Sequence, residues 1–353
     1  MRALAILTLR NEGAFLLEWL AHHKQVGFTD FLVFSNDCQD GTDQMLDRLQ
    51  EMGELTHIRN DGPYGKGGIQ FTAYKLAEKH PLMQDADWVM TLDIDEFVNI
   101  HVGNHTLDAL FDALPEATAI PLTWRLFGNG GQIRYNDVPI TQTFFAAAPV
   151  VLNWPWRAAM FKTLFRNNGT YGKLGVHRPR NPDPERLKDQ RWFDGEGREL
   201  PEKFARTRIF SNYGQSNYKL AQLNHYPLGT MESYVLKADR GRAVHEGDRL
   251  GLDYWVERNF NVEKDRSIQS LAPEMLAAMD QLKAHETLAT LHQQAVAWRH
   301  ARFETLLSEE PSRALFSRLL MTPPSQPVPE QAAKFLTHHA NKARVNAAET
   351  SGK

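Results

Sequence analysis

The chain has 353 residues, 42% hydrophobic and 24% charged, enough apolar material for one large or two smaller soluble domains. With 40 basic and 43 acidic side chains, no global field draws it to nucleic acid, and the one cysteine, Cys38, excludes an internal disulfide. The apolar run of "MRALAILTLRNEG" stops at Arg10, too short for a signal core, and no stretch of ~18 apolar residues follows. A cytoplasmic protein without a transmembrane segment is therefore expected, with peripheral membrane contact left open.

In chain order, "ALAILTL" (Ala3 to Leu9) is a continuous apolar run of strand length, suited to burial on both faces. "RNEGAFLLEWLAHHKQVGF" predicts a helix with Asn11 as cap, Phe15, Leu16, Trp19, Leu20 and His23 on one face, and Gly27 closing it. "DFLVFSND" is a second strand. "TDQMLDRLQEMG" is a short helix capped by Thr42 and stopped by Gly53, and "LTHIR" is a third strand. After the loop "NDGPYGKGG", "IQFTAYKLAEKH" predicts a helix, "WVMTLD" a strand, "TLDALFDAL" a helix and "TAIPLTW" a strand. Such alternation implies a mostly parallel α/β sheet. From Arg125 to about Leu250 the pattern dissolves, and "GVHRPRNPDPERLKDQRWFDGEGRELPEK" reads as a long exposed loop or partner-facing insertion. From Ser270 onward the chain reads as polar helices, ending after "TPPSQPVPE" in a basic, Ala-rich tail expected to fray.

The chemistry collects at strand ends. "VMTLDIDEFVN" sets Asp93, Asp95 and Glu96 directly after an apolar run. Carboxylates so close raise one another's pKa unless something positive lies between them, so the choice is a solvated acidic turn or a divalent cation site. In open parallel sheets ligands bind beyond the carboxyl ends of the strands. "RNE", "SNDCQDGT" and "DIDEF" would lie side by side there, which favours the site. A phosphatase of the haloacid-dehalogenase type also carries D-x-D after a strand, but it wants Thr or Val where Phe97 stands, and an early motif.

Together "TLRNEGAFLLEWLAHHKQVGF", "FSNDCQDGTDQML", "IQFTAYKLA" and "WVMTLDIDEFV" resemble the GT-A fold nucleotide-sugar glycosyltransferases, in the family 2-like branch with a D-x-D-E-F motif, related to family 92. "WRLFGNGG", "FKTLFR", "GVHRP" and "LNHYPLGTMESYVLKADRGRA" are similar too. The likeness spans residues 1–268, a GT-A domain with a nucleotide-sugar half (about 1–125) and an acceptor half (about 126–268); 269–353 would be a helical extension with a flexible tail. The fold it implies is Rossmann-like, a mostly parallel central sheet flanked by helices.

The resemblance implies an inverting transfer of sugar from a nucleoside-diphosphate donor to a hydroxyl of a glycan or lipid-linked acceptor, by analogy in bacterial surface polysaccharide synthesis. Mn²⁺ or Mg²⁺ would neutralise the leaving diphosphate. It implies that Asp95 ligates the metal, that Asp93 reaches the ribose and the metal's water shell, and that His225 completes the site, with His177 as competitor. A titrating histidine ligand would make metal affinity fall as pH drops through ~6.5. Glu96 would hold a neighbouring loop. Thr8 and Arg10 would grip base and ribose, Asn36 or Asp37 the base edge, and Lys66 and Gln70 the donor. Lys237 and Arg240, with Arg242, would meet the diphosphate. The general base on the acceptor hydroxyl would be Asp137 or Glu232, and Trp124, Phe127, Trp154 and Trp156 are candidate sugar platforms. The rival from another class is a non-catalytic nucleotide- or glycan-binding protein on the same fold.

Overall fold

The computed structural model describes residues 1–65, 67–241 and 250–351, with Asn341 and residues 343–351 as backbone only. Lys66 and Arg242, both expected at the donor, lie outside the described residues.

The expected alternation appears as β1 (Ala3–Leu9), α1 (Gly13–Val26), β2 (Asp30–Ser35), α2 (Thr42–Glu51), β3 (Thr56–Arg59), α3 (Gly68–Ala77), the short α4 (Pro81–Asp85) and β4 (Trp88–Leu92). Then come β5 (Glu96–Ile100), α5 (Leu107–Ala113) and β6 (Ala119–Leu126). Further on lie β7 (Phe161–Arg166), β8 (Trp192–Phe193), β9 (Glu199–Leu200), β10 (Ala221–His225) and α6 (Met231–Arg240). Beyond a short helix over Leu252–Val256 come α7 (Ala272–Lys283), α8 (Glu286–Leu307), α9 (Glu310–Met321) and α10 (Glu330–Ser351). The central sheet runs β9-β8-β6-β7-β4-β1-β2-β3, and β10 joins β6 to β5. The β3-β2-β1-β4 part is wholly parallel, while β7 runs antiparallel between β4 and β6.

β1 and β4 are continuous apolar runs because helices cover both faces. Leu7, Leu16, Leu20, Met90 and Leu110 fill the core on one face; Leu4, Ile6, Tyr74, Val89 and Phe161 fill the other. Register decides what leaves the sheet together. Leu9 pairs with Ser35, and Leu7 with Leu92, so Arg10, Asn36 and Asp93 emerge along one edge.

Several expectations change. Asn11 does not cap α1: its backbone is left-handed (φ 54°), and its side-chain oxygen accepts from Gln39 N at 2.7 Å. The first donors of α1 are met from the next loop instead. Asp40 accepts from Gly13 N and Thr42 Oγ1 from Glu12 N, each at 3.0 Å. Thr42 is the first residue of α2, and Asp40 accepts its N–H at 3.0 Å. The ends of β1 and β2 abut, so orphan donors of one loop find acceptors on the other.

β5 escaped the sequence reading because the Asp93–Asp95 turn interrupts its periodicity; it pairs antiparallel with β10, Glu96 opposite His225. The stretch expected as an exposed loop is anchored by buried Leu187, Trp192 and Leu200. Its basic, Pro-rich composition hid three apolar side chains that, with Phe204 just beyond it, close the second core face. The tail is helical through Ser351 and Ala333 is buried; ahead of it Ser325 N donates to Asn259 O at 2.9 Å. Helices α7 and α8 pack on α1, and α8 also on α2 and α6. No described helix is long and apolar enough to cross a membrane.

Candidate active site

A cleft of 880 Å³ opens at the carboxyl ends of β1, β2 and β4. Thr8, Arg10, Asn36, Asp37, Gln70, Asp93, Asp95, His225, Lys237 and Arg240 line it, as do Trp124 and His177. Residues spread over more than 230 positions converge because parallel strands end together and α6 crosses their edge.

The acidic turn is built around Glu96. This fully buried carboxylate accepts Asp93 N at 2.9 Å and the Trp124 indole N–H at 2.7 Å, so it holds its own turn and the next strand. Its pKa is raised, because burial outweighs the nearby ammonium of Lys162. Lys162, wholly buried on β7, lies 2.9 Å from Asp93 Oδ2 and 3.3 Å from Glu96 Oε2. Despite its burial, the two acids push its pKa upward. Asp93 is also met by Gln70 Nε2 at 3.3 Å.

Asp95 has a separate counter-ion. Lys237 Nζ lies 2.6 Å from its Oδ2, and His225 Nε2 is 3.8 Å from the same oxygen. Burial would raise the pKa of Asp95, but Lys237, then His225 and Arg240, hold it well below the usual carboxylate range. The acids that seemed to repel one another thus each carry a cation from a distant element. Arg240 pairs with Glu12 and donates to Arg10 O at 2.9 Å, tying α6 to the end of β1.

The His225 ring packs at a tilt against Trp124, 4.3 Å between centroids, and its Nδ1 is buried without a hydrogen-bond partner among the described residues. Burial pushes its pKa down to about 3, so the imidazole is neutral and offers a lone pair. No group of three His, Cys, Asp or Glu side chains lies close enough to hold an ion among the described residues. Asp95 with His225 supplies two donors. A cation held by this oxygen and nitrogen would take its remaining ligands from phosphate oxygens and water and would have to displace Lys237 from Asp95.

At the other end of the cleft Asp37 stands exposed in left-handed backbone (φ 46°), a strained state for a residue other than glycine. Tyr64 Oη lies 3.3 Å from its carboxylate. His177 Nδ1 is 2.9 Å from Phe161 O, which accepts the ring N–H in that tautomer and leaves Nε2 as acceptor. Enclosure, and then the charge of Lys162, lowers its pKa to about 4.

Neither candidate base reaches this edge. Asp137 faces away, 2.9 Å from His292 Nε2 and 3.7 Å from Lys283 Nζ on the C-terminal helices. Glu232 is buried and accepts from Tyr135 N at 3.1 Å, with Arg134 and His300 each 2.8 Å away. Both were expected beside an acceptor, but each is consumed by a structural ion pair. Phe127, Trp154 and Trp156 do not line the cleft; Phe127 belongs to the core. Sequence reasoning missed Lys162, Tyr64, Arg157 and Arg258. For Lys162 a signal existed: a lone lysine inside the apolar strand "FKTLF" must have buried acids to meet.

The chain belongs to glycosyltransferase family 92, whose model matches residues 6–191, more than half of it. That span holds Asp93 and Asp95 and stops before His225 and Lys237. A family 92 protein of Ricinus communis is 28% identical over 102 residues, covering 29% of this chain and 18% of the relative. One of Oryza sativa subsp. japonica is 27% identical over 139 residues, covering 38% and 22%. The chain thus spans about a fifth of the length of the curated relatives it matches. Among solved structures, S. aureus TarS aligns over 87% of this chain and 55% of its own at 15% identity and a TM-score of 0.30. A putative glucose-1-phosphate thymidylyltransferase from Bacillus anthracis aligns over 47% and 72% at 13% identity and a TM-score of 0.27. At those scores neither bears on the reading below.

Proposed function

We propose that this chain transfers a sugar from a nucleoside-diphosphate donor to a hydroxyl of a glycan or lipid-linked acceptor, with inversion, on a GT-A type of α/β sheet. The observation that carries the reading is the cleft at the strand ends, where two carboxylates of one short turn each face a lysine from another element. Membership of family 92 supports glycosyl transfer as the chemistry. A role in bacterial surface glycan synthesis is part of the same proposal and rests on analogy.

Thr8, Arg10, Asn36 and Asp37 would hold the nucleoside, since they end β1 and β2 at one edge. Lys237 and Arg240 would face the diphosphate, two cations on one turn of α6. Gln70 and Asp93 would orient ribose or sugar hydroxyls. Asp95 and His225 would hold Mn²⁺ or Mg²⁺, which when bound supplies Lewis-acid stabilisation of the leaving diphosphate. The cations do similar work: charge that develops on the leaving oxygen is met by groups already in place, which costs no reorganisation during reaction.

The test is nucleotide release from a panel of sugar nucleotides, with and without Mn²⁺. Release from at least one donor, stimulated by an acceptor extract, is expected. Tight nucleotide binding with no release from any donor would point to the non-catalytic binder instead.

A further inference from the structure

The cleft is basic. Seven Arg and Lys side chains line it against four carboxylates among the described residues, in a chain of formal net charge −3. Arg10, Lys237 and Arg240 stand at the ends of β1 and α6, and the last two already face Asp95 and Glu12. The other wall differs. Arg157 and Arg258 share the single carboxylate of Glu257, at 3.8 and 3.3 Å.

Arg178 and Arg180 have no carboxylate within ion-pair distance among the described residues. Arg178 Nη1 donates to the carbonyls of Pro179 at 2.9 Å and Ala205 at 3.4 Å. Arg180 Nε donates to Leu174 O at 3.0 Å, and its guanidinium lies over the Phe71 ring at 4.4 Å. Carbonyls take up N–H groups but do not cancel charge. Burial, and the charge of Arg180, disfavour the charged form of Arg178, a cost that an anion would relieve.

The loop that presents them is fixed. Thr91 Oγ1, two residues ahead of Asp93, donates to Gly175 O at 3.0 Å, and Thr163 Oγ1 donates to His177 O at 2.8 Å. A side chain at Gly175 would meet Arg178 O at 2.3 Å, so the loop closes on itself only with glycine there. Two guanidiniums held by the backbone suit bidentate capture of a carboxylate or phosphate, with little ordering left to do on binding.

We propose that Arg178 and Arg180 form a subsite for an anionic group on the acceptor, making the acceptor an acidic sugar that bears a carboxylate or a phosphate. This rests on the transfer reading above.

The test measures equilibrium binding of trigalacturonic acid, mannose 6-phosphate and their neutral counterparts galactotriose and mannose to the full chain. Uridine and guanosine diphosphates are titrated beside them. At least one acidic probe should bind ten-fold or more tightly than its neutral counterpart, and the one that does separates carboxylate from phosphate. In R178Q/R180Q that advantage should fall below two-fold, while nucleoside-diphosphate affinity changes less than two-fold. R178K/R180K should keep part of the advantage and guards against loss through misfolding, which thermal melts of both variants monitor. Equal binding of acidic and neutral probes by the wild type would overturn the proposal. So would loss of nucleoside-diphosphate binding in folded R178Q/R180Q, because the arginines would then serve the donor. If neither diphosphate binds the wild type while the acidic preference stands, the transfer reading falls and the anion subsite remains.

Discussion

Lys237 Nζ lies 2.6 Å from Asp95 Oδ2 and 2.8 Å from Pro227 O, so α6 delivers a cation onto the second acid of the D-x-D turn. Lys162 does the same for the first acid from β7. The turn is therefore neutralised from two sides by elements far away in the sequence, and each lysine can be tested separately.

Asp95→Asn should lower turnover by roughly 100-fold or more, the scale seen when one charge-stabilising group is removed from an active site. It should also cost about 2 kcal/mol of stability, because Lys237 keeps its charge in a mostly enclosed place without a counter-charge. Chemical denaturation at pH 7 checks this. Asp95 has a depressed folded-state pKa, so its contribution is present above its unfolded value near ~3.9 and is lost as pH falls below that. The variant should accordingly lose less stability than the wild type between pH ~4 and ~2. Wild-type turnover would refute the assignment.

Lys162→Met should destabilise by about 3 kcal/mol, since Asp93 and Glu96 lose the ammonium they share and Glu96 must take up a proton to stay buried. Adding Glu96→Gln should restore part of that loss, because the amide is neutral without taking up a proton. A double-mutant cycle read by urea midpoints gives the coupling. Additive losses would mean that the two side chains do not share an ion pair.

His225→Ala should weaken Mn²⁺-dependent nucleotide binding. A ligand titrating near ~6.5 would make that binding fall with acid. Burial instead keeps the imidazole neutral down to about pH 3, so wild-type affinity should be flat between pH ~5.5 and ~7. Titrating Mn²⁺ at the two pH values decides it, and a steep loss at the lower one would contradict the buried, neutral ring.

Glu18 on α1 is buried and accepts N–H bonds from Ile140 at 2.6 Å and Thr141 at 2.9 Å, capping a short turn of helix from another element. Burial raises its pKa to about 7 against those bonds. A raised carboxylate favours folding below its unfolded value, and that contribution is lost as pH rises through the folded value. Glu18→Gln keeps an acceptor and should remove a downward slope of stability between pH ~4.5 and ~7, seen as a difference between the two denaturation profiles. Parallel profiles would place the carboxyl in water.

The first half of the sheet, and the edge that bears the chemistry, are legible in the order of residues alone. β1, β2 and β4 are apolar runs punctuated by caps and glycines, and local pattern is enough to read them. Their carboxyl ends carry Arg10, Asn36 and Asp93, and parallel register alone brings those residues together. Only the tertiary structure decided what those groups meet. Lys162 and Lys237 stand 69 and 142 positions from the acids they neutralise, separations at which no local pattern reports a contact. For the same reason Asp137 and Glu232 looked free in the chain and proved to be held by His292, His300 and Arg134 from other elements. Burial, too, is a property of the folded molecule: it makes His225 a neutral donor and leaves Arg178 short of a counter-charge, and neither is written at its own position in the sequence.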